Sequence, residues 1–175
     1  VQGGIIQRGL AGLYAVSNNE KFVYFLGDDR EVYRLKGSAK EPVTNQALVR
    51  EFKSYTSVSD AIIWCMKLRG QNFVVVTFPT DDKTWIYPEG GQWFQWSSGV
   101  SGGRNKANSY VNIYNKDLVE DYANGNIYEI DFDTYAESGS TIIRQRDTAL
   151  LDGELFGFPN KKIEWNKITL NIEKG

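Results

Sequence analysis

Three segments of this chain repeat one pattern, and that pattern leaves little choice of fold. They are Phe22–Leu35 (FVYFLGDDREVYRL), Phe73–Tyr87 (FVVVTFPTDDKTWIY) and Leu118–Asp131 (LVEDYANGNIYEID). Each runs from an apolar strand through a turn rich in Asp, Asn or Gly into a short strand carrying an aromatic residue, in turn Tyr33, Trp85 and Tyr128. Strands joined by tight turns pair as antiparallel meanders. One meander cannot bury its own faces, so it must pack on something else. Multi-stranded units recurring about every 40–50 residues are the pattern of propeller blades.

The stretches between the repeats supply the remaining strands. Gly12–Val16, Ala61–Arg69 and Ser109–Tyr114 read as strands entering each unit, with tight turns at Gly70-Gln71 and Asn115-Lys116. Trp93–Trp96 begins a further strand after the Gly90-Gly91 turn. One helix is expected at Gln46–Phe52, where Leu48, Val49 and Phe52 fall at helical spacing and Thr44 can cap the start. The expected fold is all-β: a β-propeller of about three consecutive blades, a fragment of a larger one, with one short connecting helix. The blade units run approximately over 10–55, 58–98 and 108–148, followed by a loop at 150–162 and a C-terminal strand at 163–172. Propellers have four or more blades, so either the terminal strands complete a fourth blade or further blades lie outside this sequence, and we take the second reading. The start at Val1 and the stop just after an alternating strand lead to the same expectation of a piece of a longer protein. Ser97–Asn108 is rich in Gly and Ser and is expected as a mobile surface loop.

Composition narrows the chemistry. The sequence contains no histidine, which removes His-based triads and histidine metal ligands. A single cysteine, Cys65, cannot form an internal disulfide or a cysteine-built zinc site. A net charge of −2 gives no basic field for nucleic acid. No apolar run is long enough to span a bilayer. The acidic pairs Asp28-Asp29 and Asp81-Asp82 both occupy hairpin turns, where Asp stabilises tight geometry through its own side chain. The third unit places Asn124-Gly125 there, without charge. Asp131 and Asp133 read as solvated turn residues, since a calcium loop needs more oxygen donors. Trp93 and Trp96 lie three apart, on opposite faces of a regular strand, so core packing suits them better than a binding ledge. Two basic groupings stand out: Arg144 with Arg146, and Arg104 with Lys106. No catalytic, cofactor or metal residues are assigned. Leu155, Phe156 and Phe158, with Arg104 and Lys106, are the expected partner-interface residues, because exposed apolar groups usually have a partner.

Several consecutive segments, in order, resemble a known family. They are LAGLYAVSNNEKFVYFLGDDREVYRL, QALVREFKSYTSVSDAIIW, LRGQNFVVVTFPTDDKTWIY, GQWFQWSSG and NSYVNIYNKDLVEDYANGNIYEIDFDTY. Together they are similar to the packaged-DNA stabilisation protein of short-tailed bacteriophages, also called the tail accessory factor or tail hub. The resemblance implies a structural propeller subunit without catalytic residues or cofactors, assembled in the host cytoplasm and located in the virion tail. It implies self-association into a ring that closes or extends the portal channel. It also implies contact with the portal or adaptor ring, the tail needle and the tailspikes, with packaged DNA met only as it passes through the channel, and with no membrane partner. Thr80–Trp85 also resembles the Asp-box turn of sialidase propellers, but lacks the glycine that turn needs. Such a turn is structural and supports the propeller without bearing on glycosidase activity. The alternative reading is a carbohydrate-binding or carbohydrate-active propeller, a lectin or a glycosidase, which for hydrolysis needs a carboxylate pair across a pocket.

Overall fold

The structure is a computed structural model that describes residues 8–37, 39–99, 102–145 and Thr169. The chain divides into two compact units, Val1–Ile143 and Arg144–Gly175, and every element below belongs to the first. The expected loop at 150–162 and strand at 163–172 lie outside the described residues, Thr169 apart.

The first sheet is an antiparallel meander of β1 (Val16–Asn18), β2 (Val23–Leu26), β3 (Val32–Lys36) and β4 (Ala39–Pro42), paired in chain order. Helix α1 (Gln46–Ser54) follows. The second sheet repeats the meander with β5 (Ile62–Leu68), β6 (Gln71–Phe78), β7 (Lys83–Pro88) and β8 (Phe94–Gln95). A small hairpin, β9 (Ser97–Ser98) with β10 (Gly103–Arg104), leads to the third sheet. That sheet contains β11 (Ala107–Ile113), β12 (Lys116–Asp121) and β13 (Ile127–Glu129). A last short hairpin pairs β14 (Ala136–Glu137) with β15 (Ser140–Thr141).

Strand β6 explains the stacking. It is paired on both edges, and Val74, Val75 and Val76 are all fully buried. Side chains alternate across a strand. Val74, Val76 and Phe78 therefore join one core with Tyr24, Leu26 and Val32 of the first sheet and Leu48 and Phe52 of α1. Val75 points the other way, into a second core with Trp64, Met66, Ile86, Ala107 and Val119. A strand buried on both faces reads as a continuous apolar run, as FVVVTF does. Strand β5 runs beside both other entering strands, β1 and β11. A backbone bond ties Ile63 N to Tyr14 O at 2.9 Å. The three sheets thus fan out from a shared line of entering strands.

Local details differ from the sequence reading in four places. The first strand begins at Val16 and not at Gly12, because Gly12 to Ala15 closes a turn (Ala15 N to Gly12 O, 3.2 Å). The helix cap is Asn45 and not Thr44. Asn45 has extended backbone, and its Oδ1 accepts the Leu48 amide at 2.8 Å. The hairpin turns are Arg69-Gly70 and Tyr114-Asn115, one residue earlier than expected. All four residues have positive φ, as two-residue turns of this twist require. Finally, the described residues of Ser97–Asn108 include the β9–β10 pair, and Asn105 among them is buried.

Gly12 carries a prediction. A Cβ there would stand 2.2 Å from the Ser59 carbonyl oxygen, a backbone atom that cannot swing aside. Gly12→Ala is expected to cost about 1–3 kcal/mol of stability, the usual range for overpacking, read as a lowered denaturation midpoint with unchanged slope.

Candidate functional site: the joints between the sheets

Polar side chains of the β2–β3 and β6–β7 turns meet the segments that link one sheet to the next. Asp81 Oδ1 accepts the Thr56 amide at 2.8 Å, and its Oδ2 accepts the Ser57 amide at 3.3 Å. From the other side, Asp60 Oδ2 accepts both the amide and the hydroxyl of Thr80, each at 2.8 Å. Asp82, at φ 53°, accepts the Arg104 amide at 3.1 Å. The acidic turn of the second sheet therefore holds the segment before that sheet and the segment after it. Asp81 and Asp82, read from the sequence as turn residues, thus also tie neighbouring segments to the turn.

The first sheet makes a matching joint. Arg30, at φ 67°, sends Nη1 to the carbonyl oxygens of Phe52, Lys53 and Tyr55 at 2.9, 3.0 and 2.7 Å. The last carbonyls of a helix lack intrahelical partners, and a cation suits the negative end of the helix dipole. Asp29 Oδ2 meanwhile takes the Tyr33 hydroxyl at 2.6 Å and pairs with Arg8 at 3.0 Å. Deeper in, the Thr77 and Thr84 hydroxyls lie 3.1 Å apart, and Thr84 Oγ1 accepts the Asn105 amide at 3.1 Å.

Other candidates fall as follows. Trp93 packs in the first core, stacked on Tyr87 at 5.1 Å, and donates Nε1 to Val43 O at 2.7 Å. Trp96 packs on Trp64 at 6.2 Å in the second core, so the pair does use opposite faces. Asp131 accepts the Asp133 amide and the Thr134 hydroxyl, a local turn. The Arg104 guanidinium lies 3.2 Å from the centroid of the Tyr122 ring. Lys106 is half-buried, its amide bonded to Ser98 Oγ. Arg144 is exposed, whereas Arg146, Leu155, Phe156 and Phe158 lie outside the described residues. Burial pushes the Cys65 thiol up to about 11, so it stays protonated at neutral pH and is a poor nucleophile. Among the described residues no group of acidic or sulfur ligands is placed to hold a metal. No helix among them is long and apolar enough to cross a membrane.

Asp81 gives a pH prediction. Burial alone would raise its pKa. The Thr56 and Ser57 hydrogen bonds and the Arg30 charge outweigh burial and hold the carboxyl below its ordinary 3.8. A carboxyl depressed on folding stabilises the fold above its unfolded pKa and loses that contribution as pH falls through the folded value. Asp81→Asn should therefore be less stable than the parent at neutral pH. The difference should close below about pH 4, measured as thermal midpoints across an acid series.

Consecutive antiparallel meanders, stacked face to face and fanning from their entering strands, define this chain as β-propeller blades. A family model described as Bacteriophage P22 Gp10, beta-propeller, matches residues 1–135. The chain belongs to that family, the phage packaged-DNA stabilisation proteins, which are structural proteins of the virion that act with other virion components. A search of the curated proteins finds no match to this chain.

Proposed function

We propose that this chain is part of a propeller subunit of the phage tail machine, one that closes or extends the portal channel and so keeps packaged DNA inside. The observation that carries the reading is the family match over residues 1–135, which spans all three sheets. In this reading the blade units lie at about 10–55, 58–98 and 108–148 of a larger propeller. The subunit assembles in the host cytoplasm, joins a ring on the portal or adaptor, and offers docking surfaces to the tail needle and tailspikes. DNA meets it only by passage. Leu155, Phe156, Phe158, Arg104 and Lys106 are the proposed contact residues. The protein has no catalytic role: closure is steric and interfacial. What supports this over a glycosidase is that Asp29, Asp81 and Asp82 are already engaged by neighbouring hydroxyl, amide and guanidinium groups. None of the three lines the groove beside α1 or the one beside β5, whereas hydrolysis needs a carboxylate pair across a pocket.

The test mixes the complete protein with DNA-filled, tail-less particles and follows release of DNA. Binding with retained genome is the expected result. Particles that leak at the same rate with and without the protein would overturn the reading.

A further inference from the structure

A groove of about 280 Å³ runs between α1 and the second sheet, lined by Asn45, Ala47, Leu48, Glu51, Trp85 and Trp93. Both indole nitrogens are committed elsewhere: Trp85 Nε1 donates to the Tyr55 hydroxyl at 2.8 Å, and Trp93 Nε1 to Val43 O at 2.7 Å. The rings therefore line the groove without offering it a donor. Asn45 Oδ1 is spent on the helix cap. Glu51 is exposed and is the one charged residue of the lining. Its carboxylate takes a hydrogen bond from the Tyr55 hydroxyl, and among the described residues no salt bridge holds it.

Two indole rings beside a carboxylate that no cation holds among the described residues suit a cation. We propose that this groove receives one arginine side chain from a partner protein of the virion. The proposal rests on the reading that this chain docks with other tail proteins. Arginine fits better than lysine, because its planar guanidinium stacks on aromatic rings and can meet a carboxylate with two parallel bonds. The size agrees: small-molecule pockets start at about 300 Å³, and this groove falls just below that. A sugar fits less well. Its ring hydroxyls need several directed partners, and the groove offers only the Glu51 carboxylate and what remains of the Asn45 amide.

The indole N–H signals of the ¹H–¹⁵N spectrum report on the groove directly. The probes are N-acetyl-arginine amide, the uncharged N-acetyl-norleucine amide, and maltose, at constant ionic strength. The arginine probe should shift the Trp85 and Trp93 signals saturably and leave Trp64 and Trp96 in place. It should bind roughly tenfold more tightly than the norleucine probe. Glu51→Gln should remove that preference; its own free spectrum is the reference for that titration, because the Tyr55 hydroxyl links Glu51 to the Trp85 indole. No saturable shift, equal binding of norleucine or maltose, or a preference that survives Glu51→Gln would each overturn the proposal. Genome retention on particles does not enter this titration, so the groove can fail while the tail assignment stands, and the reverse.

Discussion

Phe52→Ala is expected to lower the stability of this chain by about 3–5 kcal/mol, the range for deleting a large buried aromatic. Phe52 is fully buried in the wedge between the first two sheets. Its ring lies 4.7 Å from Phe78, 5.7 Å from Tyr55, 6.2 Å from Trp85 and 6.5 Å from Trp93. Trp85 and Trp93 cannot swing in to fill the space, since they are fixed by their Nε1 hydrogen bonds. A natural domain has only about 5–15 kcal/mol to lose, so the variant should be close to the edge of folding. Denaturant titration followed by near-ultraviolet circular dichroism checks this, because the lost ring sits among the tryptophans. A loss below about 1 kcal/mol would mean that the helix is not seated in the core as described.

Arg30→Ala is the second large effect. The substitution leaves three carbonyl oxygens at the end of α1 without their charged donor. Hydrogen bonds to charged groups contribute about 1.5–3 kcal/mol net, and the destabilisation should fall in that range. Amide exchange in α1 should quicken more than exchange in β6. Arg30→Lys should recover only part of the loss, since an ammonium is a point charge without the guanidinium fork. Arg30→Gly separates backbone from side chain. It relaxes the positive φ of 67° but still lacks the donor, so it should lie between Ala and the parent. Equal stability of all three variants with the parent would remove the joint from the account.

The sheets were legible because their signals are local. FVVVTF announces a strand buried on both sides, and the helix shows Leu48, Val49 and Phe52 on one face, all of which are buried. The turn positions slipped by one because Arg69 and Tyr114 take left-handed backbone that neither residue advertises. The glycines of Ser97–Asn108 suggest flexibility, yet Gly103 serves close packing. A Cβ on Gly103 would stand 2.4 Å from Asp82 Oδ2. The joints were not legible at all. Arg30 reaches Tyr55, and Asp81 reaches Thr56, across about 25 residues of chain. A charge in a turn looks solvated until the fold brings another segment to it. The groove is of the same kind: Glu51 sits on the helix, and Trp85 and Trp93 come from the second sheet.

The most direct test of the central claim is an electron-microscope reconstruction of DNA-filled particles with the complete protein bound. A ring of propeller density across the channel at the portal vertex, with the DNA retained behind it, is the expected result. Density scattered over the capsid shell, or an open channel with the protein bound elsewhere, would contradict it.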